Sequence, residues 1–301
     1  MSDLSAALTS GALSPTDRAG VLIETLPYIR RFAGRTVVVK FGGNAMADPD
    51  LSHGFAADIV LMWSVGIRPV VVHGGGPQID DMLGRLGKVP EFRDGLRVTD
   101  AETLDIARMV LNGQVNREIV SAVNRHDQMA VGLSGEDAGL IVARQRHPDL
   151  GFVGDVTNVN PKILTTLLNA GFIPVISTIG SGPDGQAVNI NADSAAIAVA
   201  ASLDAEKLIY LTDVPGVMAD IHDPTSLISK MTASRARLLI AEGVIVGGMI
   251  PKVEACLDAV DRQVPSAHIL DGRIPHVALL ELFTDAGVGT MITRSDHGGS
   301  S

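Results

Sequence analysis

Aromatic residues are scarce in this chain: one Trp, two Tyr and seven Phe among 301 residues. A core without many large rings must be filled by aliphatic side chains, and Ala, Val, Ile and Leu dominate. Parallel sheets buried on both faces by helices have this composition. Cysteine is nearly absent as well. Cys256 alone excludes an intramolecular disulfide framework and suits a reducing cytoplasm. Basic residues number 24 against 34 acidic ones, for a net charge of −10, which excludes nonspecific binding to nucleic acid. No apolar run approaches the ~20 residues that span a bilayer, and Met1 to Ser14 lacks the basic start and apolar core of a signal peptide. Also missing are H-E-x-x-H, paired cysteines, G-x-S-x-G and the G-x-x-x-x-G-K-[ST] cradle. No residue is assigned to a resident metal; any metal arrives with a nucleotide.

With 46% hydrophobic and 19% charged residues, a sizeable core is expected and global disorder is not. Residues 1–15 are small and polar and are expected to be poorly ordered. A helix follows, with Thr16 or Asp17 as its cap, Leu22, Ile23, Leu26 and Ile29 on one stripe, and a kink at Pro27. Strands are expected at 36–41, 68–73, 129–133, 172–178, 207–212 and 266–270. Helices are expected near 51–65, 77–87, 101–111, 115–126, 161–170, 192–202, 232–242, 251–262 and 276–285. This alternation predicts right-handed crossovers and a mainly parallel α/β sheet with helices on both faces. Residues 140–160 read instead as a short antiparallel ribbon and turns. A soft lobe boundary falls near Gly180-Ser181-Gly182-Pro183-Asp184-Gly185.

That same segment matches G-x-G-x-x-G, with Asp204 about 20 residues later. Its Pro-Asp-Gly is turn chemistry, however, and Gln186 to Ile190 read as extended, so the dinucleotide fingerprint is rejected.

Chemistry concentrates where apolar runs break on glycine. Val37-Val38-Val39-Lys40-Phe41-Gly42-Gly43-Asn44 ends one strand, and Val70-Val71-Val72-His73-Gly74-Gly75-Gly76-Pro77 ends another. Gly247-Gly248-Met249-Ile250-Pro251-Lys252 opens a helix. Bared backbone amides with ammonium groups nearby suit a phosphoryl group whose charge spreads over its oxygens. In an acidic protein such local positive charge counts for more. Lys40 alone would read as a strand-end lysine reaching for water; followed at once by Gly42-Gly43 it reads as functional. Three successive glycines exceed what a tight turn needs, so close approach of a ligand is expected. His73 reads equally as a catalytic group or as a structural one bonded to backbone.

Asn189, Asn191 and Asp193 alternate ahead of an alanine-rich helix. One cap needs one such residue, which leaves Asp193 free to orient lysines. Arg97 is a surface arginine by default, yet it follows Gly95 and precedes a helix capped by Thr99, where a carboxylate clamp fits. Lys252 in a first helical turn opposes the helix dipole, a placement better explained by a nearby anion.

Together with Asn189-Ile190-Asn191-Ala192-Asp193 and Leu211-Thr212-Asp213-Val214-Pro215-Gly216, these segments resemble the N-acetylglutamate kinases. That is the arginine-biosynthesis branch of the amino acid kinase superfamily, and the resemblance runs from about residue 20 to 292. It implies a three-layer αβα sandwich preceded by the kinked helix. Residues 1–32 would be a disordered start and an oligomerisation helix, 33–180 a lobe for N-acetyl-L-glutamate, and 181–301 a lobe for ATP with Mg²⁺. Lys40 and Lys252 would stabilise the transferring phosphoryl group, with Asp193 orienting both. Gly43 and Gly75 would offer amides to its oxygens. Gly75, Gly76, Arg97 and Asn189 would hold the acceptor. Asp213, Val214, Pro215, Gly216, Val217, Met218, Val244, Ile245 and Val246 would line the nucleotide site. The acceptor carboxylate is already ionised at neutral pH, its reference pKa being about 4, so no general base is required.

Two further segments resemble the arginine-inhibited subgroup, in which the first helix interlaces dimers into a hexamer. His268, Glu281 and Gly287 would receive L-arginine. Arg262-Gln263 departs from the small, glycine-like residues expected there. The competing readings are a kinase for aspartate or carbamate and a catalytically dead arginine sensor.

Overall fold

A computed structural model of the chain describes residues 14–46, 48–223, 225–285 and 287–294. Of residues 1–15, expected to be poorly ordered, 1–13 lie outside the described residues, while Ser14 and Pro15 are ordered as the cap and first residue of the opening helix. The chain opens with α1 (Pro15–Phe32), β1 (Thr36–Phe41), α2 (Pro49–Ser64), β2 (Arg68–His73) and α3 (Gly76–Arg85). A two-stranded hairpin, β3 (Phe92–Arg93) and β4 (Leu96–Arg97), leads to α4 (Ala101–Arg108), a π-helical segment Met109–Val115 and α5 (Asn116–Asn124). Then come β5 (Ala130–Ser134), β6 (Ile141–Gln145), β7 (Val153–Val159), α6 (Lys162–Asn169) and β8 (Ile173–Ser177). The next elements are β9 (Ile179–Ser181), β10 (Ala187–Ile190), α7 (Ala192–Ser202) and β11 (Lys207–Thr212). The last are β12 (Lys230–Thr232), α8 (Ala233–Ala241), α9 (Met249–Asp261), β13 (Ser266–Asp271), α10 (Val277–Phe283) and β14 (Gly289–Thr293).

Eight strands form one sheet in the order β12-β14-β13-β11-β1-β2-β8-β5. From β13 to β5 all neighbours are parallel, while β14 runs antiparallel to β13 at one edge. Alternate residues divide between two cores, one on each face. Val38, Val72, Leu208 and Tyr210 pack with α7 and α9 residues such as Ala195 and Val253. Val37, Val39, Phe41, Ile209 and Leu211 pack with α2 and α5 residues such as Ile59 and Ile119. This is the expected three-layer αβα sandwich with a mainly parallel sheet. The strand order reverses between β1 and β11, so their carboxyl ends open a ligand crevice. Cys256 on α9 is wholly buried, which raises the pKa of its thiol. Among the described residues no helix is long and apolar enough to cross a membrane.

The ribbon expected at 140–160 is β6 paired antiparallel with β7, bulged between Val142 and Ala143. It closes with β9 and β10 into a small four-stranded barrel. The turn between β9 and β10 carries Gly185 at φ +81°, and the chain leaves it as strand, which agrees with rejecting the dinucleotide motif.

Three local expectations are corrected. The cap of α1 is Ser14, not Thr16 or Asp17: Ser14 Oγ accepts the Asp17 N–H at 3.1 Å. Pro15 takes the first helical position, where its missing N–H costs nothing. The helices expected at 101–111 and 115–126 are joined by the π-helical segment instead of a break, because neither a cap nor a proline intervenes. The helix after Arg97 is capped by Asp100, whose Oδ1 accepts the Thr103 N–H at 2.8 Å, leaving Thr99 for another use. Gln263, in the pair where small, glycine-like residues were expected, adopts φ +76° after α9. On α1 the stripe side chains Leu22 and Ile23 are 69% and 70% exposed.

Candidate functional site

At the end of β1 the chain turns through Gly43, whose φ of +69° favours glycine. The Lys40 side chain bends back over Gly42, so that a Cβ there would come within 3.0 Å of its Nζ. Lys40 Nζ pairs with Asp193 Oδ1 at 3.0 Å. The three alternating polar residues before α7 have three separate tasks. Asn191 Oδ1 caps the helix, accepting the N–H groups of Asp193 at 2.9 Å and Ser194 at 3.1 Å. Asn189 Nδ2 donates to Thr99 Oγ1 at 3.3 Å, and Asp193 meets Lys40.

Two cavities meet at Lys40 and Gly43. One, of about 790 Å³, is lined by Gly74, Gly75, Gly76, Phe92, Arg97 and Asn189 among others. The second, of about 590 Å³, is lined by Asp193, Tyr210, Thr212, Asp213, Lys252 and Ala255. Lys40 and Lys252, remote in sequence, thus share a wall. Lys252 occupies the first turn of α9, and among the described residues it forms no ion pair. Among the described residues Asp193 forms its ion pair with Lys40 alone.

The first cavity is held by backbone geometry. Gly75 caps α3 with no side-chain hydrogen bond, leaving the first N–H groups of that helix uncapped by any side chain. Its lack of a side chain also has a packing cause: a Cβ would sit 2.6 Å from Leu111 Cδ2 of the π-helical segment. Asp94 and Gly95, with φ of 50° and 76°, turn the β3–β4 hairpin, as Asp-Gly does in tight hairpins. The hairpin carries Arg97, which is buried, ion-paired to Asp80, and stacked 4.7 Å from the Phe92 ring centroid. Arg97 Nη2 also donates to the Gly76 carbonyl at 3.3 Å. His73 is structural. Its Nδ1–H donates to the Gly74 carbonyl at 2.8 Å, its Nε2 accepts from Asn116 Nδ2 at 3.1 Å, and burial lowers its pKa to about 4.

Beyond β11, Asp213 lines the second cavity. Gly216, at φ +135°, lies against Thr290, whose Oγ1 accepts the Val217 N–H at 2.8 Å. Val217 and Ile245 have buried side chains, whereas Val246 is half exposed. Of the residues expected at the nucleotide site, Asp213 lines this cavity, whereas segments 214–218 and 244–246 do not form its wall.

A third cavity, of about 850 Å³, lies between α1 and α10 and is lined by Tyr28, Arg31, Phe32, Lys207, Glu281 and Gly287. His268 lies behind its wall, fully buried, with Nδ1 3.0 Å from Glu281 Oε1 and Nε2 3.1 Å from Lys207 Nζ. Burial lowers the pKa of this imidazole to about 4. Burial also lowers that of Lys207, against the attraction of Glu281 3.4 Å away.

Sequence reasoning passed over Asp80, Phe92, Lys207 and Tyr210, and read Thr99 only as a helix cap. The Asp-Gly hairpin signal could have found Phe92; the others are placed only by tertiary packing.

The pattern of the amino acid kinase family matches residues 35–271. The chain is 53% identical over 293 residues to the acetylglutamate kinase of Pelotomaculum thermopropionicum, covering 93% of this chain and 99% of that protein. It also superposes on the N-acetylglutamate synthase of Neisseria gonorrhoeae solved with coenzyme A and N-acetyl-glutamate, at TM-score 0.80 and 28% identity. That match covers 92% of this chain and spans 63% of the synthase chain. The same synthase solved with coenzyme A and L-arginine gives a TM-score of 0.79 at 28% identity, covering 92% of this chain and 65% of the synthase.

Proposed function

The chain belongs to the amino acid kinase family, in its acetylglutamate kinase branch, and on that premise we propose how its residues divide one phosphoryl transfer. The γ-phosphoryl group of ATP passes to the γ-carboxylate of N-acetyl-L-glutamate, giving N-acetyl-L-glutamyl 5-phosphate in the second step of arginine biosynthesis. The observation that carries this reading is the shared wall: Lys40 lines both cavities, and Lys252 lines the second with it.

The acceptor lies in the first cavity, within the lobe of residues 33–180. Arg97 meets its α-carboxylate as a planar fork, and Asn189, Gly75 and Gly76 complete the seat. Its γ-carboxylate points toward Lys40. ATP lies in the second cavity, within residues 181–301, flanked by Asp213 to Met218 and by Val244 to Val246. Attack needs no general base, because the nucleophile is an anion at neutral pH with a reference pKa of about 4. Neutral, doubly bonded His73 has no such part to play. Catalysis is then alignment and charge stabilisation by Lys40, Lys252 and the Gly43 and Gly75 amides, in a loose transition state. Asp193 holds Lys40 in place. The Asp213 carboxylate on this wall would be an oxygen donor for Mg²⁺ arriving with the nucleotide. When bound, the ion neutralises phosphate charge.

The third cavity suits a cationic amino acid. Glu281 would meet the guanidinium of L-arginine, Lys207 and Arg31 its carboxylate, and Gly287 its backbone, with His268 buttressing Glu281. Its position between α1 and α10 supports feedback inhibition through the first helix. The exposed Leu22 and Ile23 fit a trimer of dimers joined by that helix, and the enzyme would work in the cytoplasm. Charged replacements, Leu22→Glu with Ile23→Glu, should reduce a hexamer to dimers by sedimentation without touching the core.

A coupled ADP-release assay tests the main reading. N-acetyl-L-glutamate should be preferred by orders of magnitude over glutamate, aspartate and carbamate, with turnover suppressed by arginine. Preference for an unacetylated acceptor would overturn it.

A further inference from the structure

We propose that the Tyr210 hydroxyl donates a hydrogen bond to the phosphate chain of the bound nucleotide, as a third donor beside Lys40 and Lys252. This rests on the reading of the second cavity as the nucleotide side of the site.

Register supplies the first observation. In the parallel pairing of β1 with β11, Tyr210 is the direct partner of Lys40, so the two side chains stand side by side on one face of the sheet. Tyr210 lines the cavity together with Asp193, Thr212, Asp213, Lys252 and Ala255 of α9. The second observation is its bonding. Tyr210 is 3% exposed, and its hydroxyl is one of three buried side-chain polar atoms among the described residues without a hydrogen-bond partner. The nearby Asp193 carboxylate is engaged by Lys40.

An unpaired buried hydroxyl destabilises a fold, whereas phenylalanine would fill the same space at no such cost. The hydroxyl therefore has a use that the protein's own groups do not supply. The ligand that belongs between two ammonium groups is an anion rich in acceptor oxygens. Burial, reinforced by Cys256, Asp193 and Asp258, raises the phenol's pKa well above its ordinary value. The proton stays in place at any working pH, so the group is a donor and not a base.

Tyr210→Phe in the full chain removes only the oxygen. The ligand-free variant should melt at the wild-type temperature or above it. The upward shift of the melting temperature produced by MgADP should shrink, and kcat/KM for ATP should fall about tenfold, the worth of one hydrogen bond to a charged group. KM for the acceptor should stay unchanged. A Phe variant with a wild-type MgADP shift and wild-type kcat/KM would overturn the proposal. So would a lower melting temperature without ligand together with an unaltered MgADP shift, the signature of a purely structural hydroxyl. Lys252→Ala run in parallel separates the two readings. If it abolishes turnover while the Phe variant is normal, only the role of Tyr210 falls; if it too is normal, the cavity assignment falls with it.

Discussion

Lys40 Nζ lies 3.0 Å from Asp193 Oδ1, joining the end of β1 to the first turn of α7. The pair is only partly exposed, at 16% and 38% of the two side chains, so the carboxylate fixes the ammonium at the mouth of both cavities. A charge held in advance where negative charge develops lowers a barrier without reorganisation in the reaction step. Lys40→Ala and Lys252→Ala should each lower kcat by about 10²–10³-fold, the loss typical of one such donor. ATP affinity, measured by equilibrium binding, should change far less. Asp193→Asn keeps the shape and loses the charge, so its kcat should fall by less than either lysine variant's. Equal losses in kcat and in ATP affinity would instead mean that the lysines bind ground state and transition state alike.

Arg97 is fixed by Asp80, the Gly76 carbonyl and the Phe92 ring before any substrate arrives. Arg97→Ala should raise KM for the acceptor by about 10–100-fold while kcat changes little. Arg97→Lys should rescue poorly, because an ammonium cannot reproduce the planar fork. A kcat defect with an unchanged acceptor KM would remove Arg97 from the acceptor seat.

Acid should weaken the fold through two buried histidines. His73 and His268 have folded pKa values of about 4 against 6.5 in the free state. Unfolding therefore takes up a proton at each between those limits. Their contribution is fully present above pH 6.5 and is lost as pH falls toward 4. Asp58 acts in the opposite direction. Burial raises its pKa from 3.8 to about 6 despite its contact with His276, so falling pH favours the fold through this group over that window. Each displacement is worth up to about 3 kcal/mol. Two against one leaves a net loss of a few kcal/mol between pH 7 and pH 4.5, read from urea unfolding. Asp58→Asn should steepen that loss, and a shallower pH dependence in this variant would contradict the assignment.

Gln263 sits at φ +76° just past the end of α9, a conformation that side chains with a Cβ adopt at a cost. Gln263→Gly should raise stability by about 0.5–1 kcal/mol, seen as a higher urea midpoint with an unchanged slope. A lower midpoint would mean that the Arg294 hydrogen bond to this side chain outweighs the relief of strain.

Much of this architecture was legible because parallel strands buried on both faces are unbroken apolar runs. Val37-Val38-Val39 and Val70-Val71-Val72 announce both a strand and its end, and the glycines after them mark the crevice. What stayed hidden is whatever depends on a partner distant in sequence. Edge strands β12 and β14 are short and take their conformation from neighbours, so no periodicity marks them. The π-helical segment has no local signal; its Leu111 reveals itself only against Gly75. Tyr210 reads as one more apolar strand residue until its register with Lys40 is known. Lys207 enters the third cavity only once β11 is paired with β13 and α10 lies across them.

The buried Cys256 has a practical side. Its sulfur is sealed beneath α9 and its proton is tightly held, and no second thiol exists anywhere in the chain. The native molecule is thus blank toward maleimides and other thiol-directed probes. One cysteine introduced at the exposed Ile221 would carry a dye or spin label at a single known address without further engineering.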